Sequence, residues 1–89
     1  MHTYVYKSLR KPDTYLYLRE KDAFSLLPDG IRQSLGPLLP ALEFELTQTR
    51  KLARADATVV LRNLAELGYY LQMPETVLDP LVAGGVGDG

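Results

Sequence analysis

The sequence predicts an α+β fold: a two-layer domain in which helices pack on a four-stranded, mainly antiparallel sheet. Three observations predict this class. Two tyrosine-rich segments flank a turn near the N-terminus, a central segment alternates apolar and acidic residues, and a helical repeat runs directly into a final apolar segment. The predicted order is ββαβαβ followed by a short C-terminal helix.

The first two strands are predicted to form a hairpin. The segments "TYVYKSL" and "TYLYLRE" are rich in residues that suit a pleated surface. Between them, "RKPD" supplies turn chemistry, because Pro12 presets a turn angle and Asp13 can bond its own backbone. We expect strands near residues 3–9 and 14–20.

A short, broken helix is predicted over about residues 22–35. Asp22 or Ser25 would cap a helical turn, and Pro28 suits a first helical position. Gly36 suits the left-handed position just past the helix end. Because the intrinsic stability of this helix is low, its apolar side chains must be held by packing. The predicted core residues are Phe24, Leu27, Ile31 and Leu35.

The third strand is predicted in "PALEFELTQ", where apolar and polar residues alternate. Successive side chains of a strand point to opposite faces. The pattern therefore places Leu42, Phe44 and Leu46 on a buried face. Glu43 and Glu45 are expected on the other face, towards water or a basic neighbour.

A second helix and a fourth strand follow. Asp56 is predicted to cap the helix and Gly68 to end it, and the apolar positions recur at helical spacing at Val60, Leu61, Leu64 and Leu67. The strand "YYLQM" comes next. Its adjacent tyrosines, Tyr69 and Tyr70, must point to opposite faces, one covered by a helix and the other open.

The C-terminal residues are predicted to contain a short helix over residues 75–83, interrupted by Pro80, and a flexible glycine-rich tail over residues 84–89. A chain of 89 residues is long enough for one core and too short for two. We therefore expect one domain, residues 1–83.

Composition predicts a cytoplasmic globular protein. Hydrophobic residues make up 46% of the chain and charged residues 24%, which is the balance of a folded domain. Cysteine is absent, which suits a reducing compartment. No segment resembles a signal peptide or a membrane span, and a net charge of −1 creates no global field for nucleic acid or an anionic membrane.

The chain resembles the YcgL family of small bacterial proteins in the order and spacing of its motifs: "TYLYL", "FSLLP", and "RKLARAD" running into "GYYLQMP". The resemblance spans about residues 4–74 and implies one α/β domain. Met73 and Leu18 are conservative departures from the family pattern, and the acidic strand is less typical. The family implies no activity or cofactor that transfers to particular residues. Some members are encoded near ribonuclease D, which implies a link to RNA metabolism.

Catalytic constellations are scarce. The one histidine, His2, sits at a terminus expected to fray, which argues against a serine, histidine and aspartate triad. Glu43 and Glu45 share a strand face, and the favoured interpretation is a solvated surface rather than a metal site. A hydrolase with a carboxylate-bound metal is the weakest hypothesis. We expect no catalytic residue, metal or cofactor.

A binding surface is predicted on the hairpin. Leu16 and Leu18 are expected under the helices, which would leave a row of tyrosines on the outer face. Tyrosine offers a large contact area with a polar tip, and it is enriched at protein interfaces for this reason. The leading hypothesis is a protein-binding module whose contact residues are Tyr4, Tyr6, Lys7, Tyr15, Tyr17 and Arg19.

Two other interpretations of the same tyrosines stay open. They can pair across strands for sheet stability alone, at roughly 0.2–1 kcal/mol per pair. They can also stack bases in an RNA-binding accessory protein, with phosphate contacts from the basic loop residues Arg50, Lys51 and Arg54. The sequence leaves the partner and the oligomeric state open.

Overall fold

The chain folds as an α+β domain around one antiparallel sheet, as the sequence predicts. The computed structural model describes residues 1–52 and 55–74. The sheet has the order β3-β1-β2-β4, and each neighbouring pair is antiparallel. The elements are β1 (His2–Ser8), β2 (Tyr15–Leu18), a 3₁₀ turn (Phe24–Leu26), α1 (Asp29–Leu35), β3 (Leu38–Glu45), α2 (Ala57–Glu66) and β4 (Tyr69–Gln72).

The first helical segment is divided in two. The 3₁₀ turn and α1 are separated by Leu27 and Pro28, and Pro28 occupies the N-cap of α1 rather than its first helical position. Neither predicted cap acts: Asp22 has a left-handed φ of 59°, and no side chain caps either element. Gly36 follows α1 with a φ of +65°, the positive angle predicted for it.

The two helices lie on opposite faces of the sheet, which corrects the predicted two-layer arrangement to three layers. Val5 and Tyr17 pack against Val60 and Leu64 of α2. On the other side, a second cluster joins Tyr6, Leu16, Leu18 and Leu27, with Phe24 and Ile31 of the helical segment packed against it. We call the two sides the α1 face and the α2 face.

Both central strands, β1 and β2, are buried on both faces of the sheet. Val5 and Tyr6 are adjacent and are both buried, and so are Leu16, Tyr17 and Leu18. Such a run of consecutive apolar residues is typical of a strand covered on both faces, whereas strict alternation is typical of a half-buried strand. The burial of β1 and β2 on both sides is what the two helices on opposite faces produce.

The edge strand β3 differs most from its prediction. Leu46 is fully buried and Phe44 is half-buried, but Leu42 is 54% exposed. The register explains the difference, because Val5 pairs with Leu42 while Tyr6 pairs with Pro40, which leaves one extra residue in β3. A bulge of this kind bends the strand, and β3 is an edge strand, so side chains of a neighbouring strand flank its own on one side only.

Helix α2 is capped as predicted. The carboxylate of Asp56 accepts a hydrogen bond from the backbone N–H of Thr58 at 2.9 Å. Val60 and Leu64 are fully buried, and Leu61 is half-buried. Leu67, the last apolar position of the helical pattern, is the C-cap of the helix, beyond its packed face, and is 52% exposed.

We expect Asp56→Ala to lower the free energy of unfolding by about 0.5–2 kcal/mol, because a helix N–H loses its acceptor. Asp56→Asn is the matched control, since asparagine caps about as well as aspartate. Urea unfolding followed by circular dichroism measures both. An alanine variant as stable as the asparagine variant would show that this cap adds nothing.

The predicted helix over residues 75–83 and the predicted tail over residues 84–89 lie outside the described residues. None of the helices within residues 1–52 and 55–74 has the length and apolar composition that crossing a bilayer requires.

Candidate functional site

The predicted row of four tyrosines does not form. In the β1–β2 pair, Tyr4 lies opposite Leu18 and Tyr6 lies opposite Leu16. Directly opposed residues share a face, so these two tyrosines belong to the α1 face. Tyr15 and Tyr17 project to the α2 face. Spacing within each strand was predicted correctly, but the phase between two strands depends on the turn, which the sequence pattern did not fix.

Tyr6 has a structural role on the α1 face. Its hydroxyl donates to Asp22 Oδ1 at 2.9 Å and accepts from the Asp22 backbone N–H at 2.8 Å. Its ring meets the Phe24 ring edge-on, with centroids 4.9 Å apart, and only 3% of the residue is exposed. Tyr4 is half-buried beside this cluster. The ring of Tyr6 is therefore not free to contact a partner.

The α2 face contains an open groove of about 420 Å³. Strand pairing places two rows of side chains across this face. One row runs Leu42, Val5, Tyr17 and Tyr70, and the next runs Leu39, Lys7, Tyr15 and Gln72. Helix α2 packs on the first row at Val5 and Tyr17. The groove is open above the hairpin end of the sheet.

The segment after β3 brings the basic residues to this groove. The Arg50 guanidinium lies 4.3 Å from the centroid of the Phe44 ring, in cation–π geometry, and Lys51 and Leu52 follow along the wall. The groove is lined by Val5, Asp13, Tyr15, Tyr17, Ala41, Leu42, Phe44, Arg50, Lys51, Leu52 and Gln72. Lys7 borders it, exposed, between Leu39 and Tyr15.

A buried amide forms the polar part of the groove. The Tyr17 hydroxyl donates to Gln72 Oε1 at 2.9 Å, and Gln72 is only 8% exposed. The Tyr17 ring meets Tyr70 edge-on at 5.8 Å. In the part of the chain that the structure describes, the NH₂ group of Gln72 has no hydrogen-bond partner.

The other predicted contact residues lie elsewhere. Arg19 donates from Nη1 to the Ala65 carbonyl at 3.2 Å, which places its charge at the C-terminal end of α2. A cation is favourable there because the last carbonyls of a helix lack intrahelical partners. Arg54 lies outside the described residues.

Sequence reasoning missed several residues of the groove. Leu42 and Phe44 were assigned to the core, and Asp13 was assigned only to the turn. Gln72 gave a signal that could have been followed, because it is a polar residue inside the apolar segment "YYLQM". A buried polar side chain requires a partner, so such a residue points to a hydrogen-bonded site.

The two glutamates of β3 face basic groups and water, as predicted. Glu43 Oε2 lies 2.6 Å from His2 Nε2, and Glu45 lies 2.7 Å from the N-terminal ammonium group. That ammonium group holds the pKa of the Glu45 carboxyl below its usual value. His2 lies in β1 opposite Glu45, so the expectation that it frays is wrong. Within the described residues, no group of three or more metal-binding side chains converges.

We expect the protein to lose stability as the pH rises above 10. Burial raises the pKa of Tyr6 and of Tyr17 above the ordinary value of 10.0. Unfolded tyrosines release their protons first, so the folded state binds more protons in this range and stability falls until the raised pKa values are passed. Thermal unfolding measured from about pH 9 to about pH 12 gives the slope of stability against pH on the alkaline side of the ordinary tyrosine pKa. The combined Tyr6→Phe and Tyr17→Phe variant should have a flatter profile, and an unchanged slope would contradict the prediction.

Comparison of the sequence with known proteins identifies a family. The family model described as "YcgL domain" matches residues 3–75. A YcgL domain-containing protein of Thioalkalivibrio sulfidiphilus is 51% identical over 81 residues, which is 91% of this chain and 100% of the relative. A YcgL domain-containing protein of Xanthomonas euvesicatoria pv. vesicatoria is 49% identical over 78 residues, 88% of this chain and 91% of the relative. These names specify the domain and give no reaction.

Proposed function

The chain belongs to the YcgL domain family, and we propose that it functions as a non-catalytic protein-binding module through the groove on the α2 face. The observation that carries the proposal is the position of Leu42. This large apolar side chain is 54% exposed on the groove wall, next to the Phe44 ring and the Arg50 guanidinium. Protein interfaces are enriched in aromatic residues and arginine, with an apolar centre and a polar rim.

The composition of the groove supports binding rather than catalysis. The described lining contains no histidine, cysteine or serine, so it lacks the Ser–His and Cys–His pairs that nucleophilic catalysis commonly uses. Tyr17 and Gln72 are hydrogen-bonded to each other, and the Arg50 guanidinium lies over the Phe44 ring. These contacts restrict the conformations of the side chains. Fixed side chains lower the entropy lost on association.

RNA is the competing partner. Arg50, Lys51 and Tyr15 meet in one groove, which is the combination of cations and an aromatic ring that single-stranded RNA binding uses. Two observations argue against this partner: Tyr17 is only 7% exposed, and Tyr4 and Tyr6 lie on the other face of the sheet. These features favour a protein partner.

A paired-variant capture experiment tests the proposal. Leu42→Asp places a charge in the groove, and Leu9→Asp is its matched control, because Leu9 is 55% exposed and is not part of the groove lining. The immobilised full chain and both variants are incubated with bacterial lysate, with and without nuclease. Retained proteins are then purified and titrated into the labelled chain, followed by amide NMR.

We expect a protein that the native chain and Leu9→Asp retain, that Leu42→Asp does not retain, and that shifts the amides of Tyr15 and Lys51. Binding that Leu42→Asp leaves unchanged would contradict the proposal, as would the absence of any differentially retained protein. Loss of capture after nuclease treatment would show that binding depends on RNA, and the RNA-binding hypothesis would then replace the proposal. The proposal places the protein in the cytoplasm, which the cysteine-free sequence supports.

A further inference from the structure

We infer that the partner inserts an extended acidic segment carrying an aliphatic side chain into the groove. The aliphatic side chain would lie on Leu42 and Phe44, and a carboxylate of the segment would face Arg50 and Lys51. This inference rests on the proposed function and adds the chemistry of the partner to it.

The apolar part of the groove fits an aliphatic anchor. Its floor is Val5, which is buried, and its walls are the exposed Leu42, the half-buried Phe44 and the half-buried Leu52. Covering these side chains removes apolar surface from water, which favours the complex. A charged side chain in the same place would be desolvated without a partner.

The charges around the groove select an acidic segment. Arg50 and Lys51 line it, and the exposed Lys7 borders it. In the described lining, Asp13 is the one carboxylate. The groove is therefore locally positive although the whole chain has a net charge of −1. Opposite charge across an interface steers association and excludes partners of like charge.

The Gln72 amide is a second, independent indication of a ligand. The residue is nine-tenths buried on the groove wall, and the Tyr17 hydroxyl fixes its orientation. Within the described residues its NH₂ group has no acceptor, and a buried donor without an acceptor is unfavourable. A carboxylate or a backbone carbonyl of an extended peptide supplies that acceptor.

Titration with three peptides tests the inference. The probe is the blocked pentapeptide Asp-Glu-Leu-Glu-Asp; the two controls are Lys-Lys-Leu-Lys-Lys, which reverses the charge, and Asp-Glu-Ser-Glu-Asp, which removes the anchor. Amide NMR of the labelled full chain measures affinity and location together. Lys51→Glu is the groove variant, and Lys21→Glu is its control, because Lys21 is exposed beside Tyr4 and Asp22 on the other side of the sheet.

We expect the probe to shift the amides of Leu42, Tyr15 and Gln72, and both control peptides to bind more weakly. Lys51→Glu should weaken the probe by about tenfold, the change that corresponds to one lost charge-assisted contact, and Lys21→Glu should not change it. Equal binding of the basic peptide, shifts elsewhere, or no binding of the probe would overturn the inference. So would single-stranded RNA that shifts the same amides with a steep salt dependence.

Failure here is distinguishable from failure of the proposed function. If the capture experiment yields a protein whose bound segment is neutral or basic, the groove is a protein-binding site and the acidic preference is wrong. If Leu42→Asp leaves capture unchanged, the groove is not the site, whichever peptide binds it.

Discussion

Replacement of Leu16 by alanine is expected to lower the free energy of unfolding by about 2–5 kcal/mol. Leu16 lies in the central strand β2 and is fully buried on the α1 face, where it packs with Tyr6 and Leu27. Truncation removes apolar surface from the core and leaves a cavity that a close-packed interior only partly fills. Urea unfolding followed by circular dichroism measures the loss.

Two controls make this result specific. Leu9→Ala, at a residue 55% exposed, should change stability by no more than about 0.5 kcal/mol. Leu16→Met keeps the volume and should lose less than about 1.5 kcal/mol, so it is measurable even where the alanine variant does not fold. If Leu16→Ala and Leu9→Ala were equally stable, the α1 face would not be a core.

Replacement of Tyr17 by alanine is expected to lower the free energy of unfolding by about 3–5 kcal/mol, as for other large buried rings. Tyr17 is the next residue in β2 and points to the opposite face, where it packs in the α2 core and against the Tyr70 ring. The variant also leaves the Gln72 carbonyl without its donor. Thermal unfolding monitored by circular dichroism is the measurement.

The control for this variant separates the ring from its hydroxyl. Tyr17→Phe keeps the ring contacts with Val5 and Tyr70 and loses only the hydrogen bond to Gln72, so it should lose about 1–3 kcal/mol. If Tyr17→Ala were as stable as the native chain, Tyr17 would lie on an open face, as the sequence pattern predicts. Large losses at both Leu16 and Tyr17 would show that β2 is covered on both sides.

The element types could be predicted because they depend on local chemistry. The hairpin residues favour strands, Asp56 caps α2 through its own carboxylate, and Gly36 adopts the positive φ that follows a helix end. The bounds were less predictable. Asp22 was assigned to a cap, but it takes a left-handed conformation and binds the Tyr6 hydroxyl, a contact between residues sixteen positions apart.

The candidate site was predicted in part. Tyr15, Tyr17, Arg50 and Lys51 meet in the groove, with Lys7 at its border. Tyr4 and Tyr6 do not, because the register of the hairpin places them on the α1 face. A shift of one residue between two strands exchanges the faces of a whole strand, and composition alone does not determine that shift.

The sequence by itself determined the α+β class, the four strands, the capped helix α2 and the family. Each of these follows from the order of residues along the chain, through spacing, caps and turns. Only the tertiary structure decided that the helices cover both faces, that Leu42 is exposed beside a bulge, and that Arg50 lies over Phe44. These features depend on register and packing between segments that are far apart in the chain. The free energy of folding that selects them comes from long-range contacts, which a local sequence pattern does not contain.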